Sequence, residues 1–194
     1  MPLSLAWHSQ EDAKPRRTPL LRRFRRADSG ALAVEFALIA PFFLGLLFGI
    51  LEVALTFWST QVLETAVANA ARQIYTGSFQ QGSTTLTQAA ALAKFKDSVC
   101  ANVTAVFNCR ALVRVDVKRV GSYGTSSASI RYPVTNGVFD TSQFGYDPPQ
   151  RNEICVVRAA MEYPVYVNLF GYSTGLRSGN RLIIASSAFK TEPF

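Results

Sequence analysis

The chain has 194 residues, with 20 Lys/Arg against 13 Asp/Glu (net charge +7), three Cys and one His. That histidine, His8, lies at the far N-terminus, and no HExxH, P-loop or CxxC pattern occurs. The sequence therefore points away from a histidine-based triad, a metal centre or a cofactor-dependent enzyme. The basic excess is concentrated at the start, where residues 1–30 hold seven Lys/Arg and three acidic residues. No face interleaves arginines with aromatics, so nothing suggests a nucleic-acid partner, and nothing suggests a small-molecule substrate.

The most informative stretch is 22–58, RRFRRADSGALAVEFALIAPFFLGLLFGILEVALTFW. Residues 36–51 carry no charge, and the apolar character resumes after Glu52. The 23 residues 36–58 would span about 35 Å as a helix, enough to cross a bilayer core. Phe57 and Trp58 close the run where interfacial aromatics sit. The arginines precede the span and residues 59–71 hold no Lys or Arg, so the positive-inside bias predicts a cytoplasmic N-terminus and an external remainder.

Three readings of the N-terminus compete. A secretory signal peptide would use the Ala-rich stretch Ala66, Ala68, Ala70 and Ala71 as its cut site. An uncleaved single-pass anchor explains the span and the arginines, but not a glycine standing five residues ahead of a lone carboxylate. The third reading is a leader cut between Gly30 and Ala31, on the cytoplasmic side. Basic leader, Gly30, apolar start and Glu35-Phe36 resemble the cleavage region of type IV pilins and pseudopilins. Cutting there makes Glu35 the fifth residue and creates an amine at Ala31. A neighbour's amine could pair with Glu35 and offset the desolvation of both groups.

The helix is predicted to continue to residue 76, a length of about 69 Å counted from Ala31. Val62, Ala66, Ala70 and Ile74, flanked by Leu63 and Val67, form one apolar stripe, and Gly77 is the stop signal. Pro41 predicts a kink or local loosening. Gly45 and Gly49 form a GxxxG pattern that lets a second helix approach closely. Glu52, near the outer end of the span, is read as solvated at the interface or paired with a partner helix, and the solvated placement is preferred.

Beyond the span the periodicity predicts a second helix over 84–99, with Thr85 and Gln88 spaced as a capping box. Val113, Val115 and Val117 alternate with Arg114, Asp116 and Lys118, the pattern of a half-exposed strand. Residues 121–152 read as a long connection, with turn signals at Asn136-Gly137 and Pro148-Pro149 and one short strand near 128–132. Extended runs follow at 154–170, broken at Pro164, and at 182–189, with a polar turn over 171–180. The expected fold class is α+β, with helical faces packed on one side of an antiparallel sheet. The organisation is a basic leader 1–30, a transmembrane helix 31–58 and one external domain 59–194. Cys100 and Cys109 are candidates for a disulfide in an oxidising compartment and Cys155 for a buried thiol, although pairings of Cys155 with either remain open.

These residues together resemble the TadE-like family, pseudopilins of Tad/Flp tight-adherence pilus systems. The resemblance rests on SGALAVEFALIAPFFLGLLFGILEVALTFW, the continuation TAVANAARQIYTG, the cysteine pair, Glu162-Tyr163-Pro164 and the closing AFKTEPF. Lys190 stands where the family usually has arginine, and the family's basic residue shortly after Glu52 is replaced here by Ala54, Leu55 and Thr56. The resemblance implies an inner-membrane protein processed by a prepilin peptidase, with other pilins or pseudopilins and inner-membrane Tad platform proteins as partners. The alternative is an uncleaved, membrane-anchored periplasmic binding or receptor module.

Overall fold

The computed structural model describes residues 29–101, 103, 107–122, 130–167 and 176–193. The basic leader up to residue 28, and parts of the segments read as a strand near 128–132 and a turn over 171–180, lie outside the described residues. The chain divides into two units, residues 1–45 and 46–194. The described part of the first is purely helical and belongs to α1 (Ser29–Tyr75), a 47-residue helix that runs on through Pro41.

The second unit has the expected α+β architecture. The last turns of α1 bury Leu63, Ala66, Val67, Ala70, Ala71 and Ile74 and leave Gln61, Glu64, Asn69, Arg72 and Gln73 in solvent. This is the predicted stripe, with Leu63 more deeply buried than Val62. At the end of α1, Gly77 takes φ 76°, which side chains with a Cβ rarely tolerate, and its N–H donates to Ile74 O at 3.2 Å. The next turn, α2 (Ser78–Gln81), drops Phe79 into the core. There it meets Phe95 edge-on at 5.6 Å between ring centroids and Tyr146 at 5.7 Å.

Helix α3 (Gln88–Ala101) starts later than predicted. The Thr85/Gln88 box does not form; Thr87 Oγ1 accepts the Ala90 N–H at 3.3 Å, and 83–86 form a turn closed by the Leu86 N–H to Ser83 O. Ala91, Phe95 and Val99 are its buried face. A single turn, α4 (Cys109–Leu112), is capped by Asn108, whose side chain accepts from Ala111 N–H.

Three antiparallel strands follow, in spatial order β1 (Arg114–Val120), β4 (Ile154–Tyr163), β5 (Arg181–Lys190). Between β1 and β4, the two-residue strands β2 (Val134–Thr135) and β3 (Val138–Phe139) form a hairpin. Asn136 and Gly137 turn it with φ 53° and 75°, the conformation for which Asn-Gly is the favoured pair. The free side of β1 is covered by a short parallel bridge: Val117 N–H donates to Gly145 O at 2.8 Å and Asp147 N–H to Val117 O at 2.9 Å.

One sheet face carries Val115, Val117, Cys155, Val157, Ala159, Met161, Ile183 and Ala185, all in a single cluster with the buried helix residues. The opposite face departs from the sequence expectation. Asp116 was expected in solvent but is fully buried, because its cross-strand partner is Arg158. Arg158 Nη2 and Nε donate to Asp116 Oδ2 at 2.5 and 3.2 Å, and Gly145 N–H donates to Asp116 Oδ1 at 3.0 Å. Arg158 Nη1 also reaches Arg131 O at 2.7 Å, and its guanidinium lies 5.4 Å from the Phe144 ring centre. The segment from Arg131 to Gly145 therefore lies over this face and supplies the partners that a buried ion pair needs.

The chain closes on itself at Thr191, which is buried. Its Oγ1 donates to Gln150 O at 2.5 Å and accepts from Glu153 N–H at 3.1 Å. The next residue, Glu192, donates its N–H to Tyr75 O at 3.0 Å, satisfying one of the orphan carbonyls at the end of α1. Tyr75 also meets Phe189 edge-on at 6.0 Å.

Candidate functional site in the N-terminal helix

Gly30, Ala31, Glu35 and Phe36 occupy the opening turns of α1. Ala31, Glu35 and Phe36 are exposed and Gly30 is half-buried. Further along, Leu32, Phe36 and Phe42 are 71%, 72% and 82% exposed, together with most large apolar residues up to Trp58. Apolar surface in such quantity costs roughly 25 cal/mol per Å² in water. Hydrocarbon is the solvent that fits it, and this helix is long and apolar enough to cross a membrane. Gly45 and Gly49 are half-buried on the same helix.

Glu52 differs from the preferred expectation. It is 6% exposed, and it heads a buried polar stripe that continues through Thr56 and Ser59 before the apolar stripe begins at Leu63. Thr56, Ser59 and Thr60 hydroxyls each bond the carbonyl four residues back, at 2.8–2.9 Å. They thus satisfy themselves within the helix. Glu52 Oε2 accepts the Tyr166 N–H at 3.4 Å, and Oε1 has no hydrogen-bond partner among the described residues. The reason is local: β4 ends at Tyr163, Pro164 cannot continue the ladder, and the chain that follows bends at Tyr166, bringing its backbone N–H to the helix. The signal was present in the sequence, since positions 52, 56, 59 and 63 continue the buried stripe upward with helical spacing.

Cys100 and Cys109 are bonded, with Cα atoms 5.6 Å apart, closing a small ring between α3 and α4. Cys155 is a free, buried thiol on β4. Burial, with the carboxylates of Asp147, Asp116 and Glu153, pushes its pKa up to about 12, so it is inert rather than nucleophilic. Burial does the same to Tyr146, beside that thiol, again to about 12. Among the described residues no group of three or more His, Cys, Asp or Glu converges as a metal site. A cavity of about 140 Å³ lies beside Arg131, Thr135, Asp140 and Arg158. Its carboxylate, Asp140, is already engaged by the Ser142 N–H and the Thr135 hydroxyl, which lower its pKa.

Residues 30–72 match the family model described as TadE-like protein. No curated protein and no solved structure matched the chain.

Proposed function

We propose that this chain, whose residues 30–72 resemble TadE-like proteins, is a non-catalytic, pseudopilin-type assembly factor of a tight-adherence (Flp-type) pilus system. The observation that carries the reading is where the likeness begins. It starts at Gly30, omits the arginine-rich leader, and runs through the apolar helix into the buried stripe of the domain. The peptide bond that a prepilin peptidase would cut in this reading, between Gly30 and Ala31, follows the first matched residue.

In this reading the leader stays in the cytoplasm, the helix crosses the inner membrane, and the domain folds in the periplasm. Two features support the orientation: the Lys/Arg excess precedes the span, and the Cys100–Cys109 bond lies on the opposite side, where an oxidising compartment would preserve it. After cleavage, Glu35 stands in position to neutralise the amine of a neighbouring pilin or pseudopilin. Gly45 and Gly49 offer the close approach for a helix of the fibre or of the platform proteins, while the Glu52 carboxylate is buried against its own domain.

N-terminal sequencing of the protein recovered from membranes of piliated cells tests this. The expected first residue is Ala31, and replacing Gly30 with a bulkier residue blocks the cut. Recovery of the intact 194-residue chain in functioning cells identifies an uncleaved anchor instead.

A further inference from the structure

The sheet has two edges, and the structure treats them differently. The β1 edge is covered by the 145–147 bridge. The β5 edge, ten residues long, has no backbone partner among the described residues. Its register against β4 is constant from Ile154↔Lys190 to Tyr163↔Arg181, and Thr191 N–H continues it by donating to Glu153 O at 2.9 Å. Backbone groups alternate in direction along an antiparallel strand. The odd-numbered residues of β5 therefore bond to β4, and the N–H and C=O groups of Leu182, Ile184, Ser186, Ala188 and Lys190 point outward. A long row of this kind accepts another strand unless something blocks it.

Charge selects the occupant. Arg181 and Lys190 stand at the two ends of β5, no acidic residue lies between them, and neither makes an ion pair among the described residues. The outward groups of two copies meet antiparallel only in a register such as the one centred on Ser186, which sets Arg181 opposite Thr191 and Lys190 opposite Leu182, so a second copy places no carboxylate opposite either basic residue. We propose that the β5 edge is a strand-accepting surface for an extended segment of a different protein. That segment alternates apolar residues and carries Asp or Glu at both ends, about nine positions apart, so that either strand direction satisfies Arg181 and Lys190. This surface does not depend on how the leader is processed.

The test uses the full chain in lipid nanodiscs and two labelled peptides: one copying Arg181–Lys190, and the same peptide with Glu at both ends. The acidic-ended peptide is expected to bind at least about fivefold more tightly, with the preference shrinking as salt is raised. Ser186→Pro, which removes an outward N–H without touching the β4 ladder, abolishes binding, and Ser186→Ala leaves it intact. Exchanging both basic residues of the protein (Arg181→Glu with Lys190→Glu) reverses the peptide preference, and this variant decides the matter should Ser186→Pro fail to fold by circular dichroism. Absence of binding by the acidic-ended peptide, equal affinity for the two, or full binding by folded Ser186→Pro overturns the proposal. A homodimer in sedimentation that dissociates on Ser186→Pro overturns the choice of occupant.

Discussion

Arg158 interrupts the apolar run ICVVRAAM on the central strand, and Asp116 sits opposite it on β1. Once the guanidinium is removed, the carboxylate remains fully buried with, among the described residues, only the Gly145 N–H at hydrogen-bonding distance and Lys118 Nζ 3.8 Å away. Arg158→Met is therefore expected to destabilise the domain by about 3–5 kcal/mol, and the double change Arg158→Met with Asp116→Leu to recover much of that loss. Urea unfolding followed by circular dichroism measures both. Cys155 and Tyr146 set a second expectation. Their ordinary values of 9.0 and 10.0 rise to about 12 in the folded protein. Between about pH 9 and 12 the unfolded chain gives up these protons while the folded one keeps them. Stability is thus fully present below pH 9 and falls as the pH rises, by roughly 1 kcal/mol per pH unit for each lagging group. Unfolding midpoints from pH 8 to 11 should show the decline, and Cys155→Ala should flatten its early part.

At the level of elements, legibility followed periodicity. The span, the Ala-rich stripe of α1, the strand at Arg114–Val120 and the two long strands of the meander could be read because each repeats one rule over many residues. The misses are places where a distant segment decides the outcome. Asp116 fits an exposed position by alternation alone, and only the covering segment around Phe144 and Gly145 buries it. Glu52 looks solvated until the chain leaving β4 is brought to it by Pro164. The capping residue of α3 moved from Thr85 to Thr87 because the turn at Ser83–Leu86 uses the earlier residues. The β2–β3 hairpin, by contrast, had its turn written in Asn136-Gly137, but strands of two residues leave too little pattern to place. In the candidate site, Gly30, Glu35, Gly45 and Gly49 were singled out by spacing and remain proposals, whereas the buried stripe at Glu52, Thr56 and Ser59 was missed because its helical spacing is carried by polar residues.

For the molecule as a whole, the domain's core is not confined to the residues after the long apolar run. It borrows Leu63, Ala66, Val67, Ala70 and Ile74 from α1, and the burial extends upward to Glu52. A fragment beginning at Glu52 is expected to fold cooperatively and stay soluble. One beginning at Ala71 loses four of those core side chains, at about 2–4 kcal/mol for Leu63 alone, and should not fold. Thermal unfolding of the two fragments distinguishes these outcomes. The bond from Glu192 to Tyr75, beside the Thr191 knot, has a mechanical corollary. Traction applied along the helix is delivered to the end of β5 and to the Gln150–Glu153 corner rather than to a slack tether. The last few amino acids thus act as a rivet between the end of the helix and the sheet.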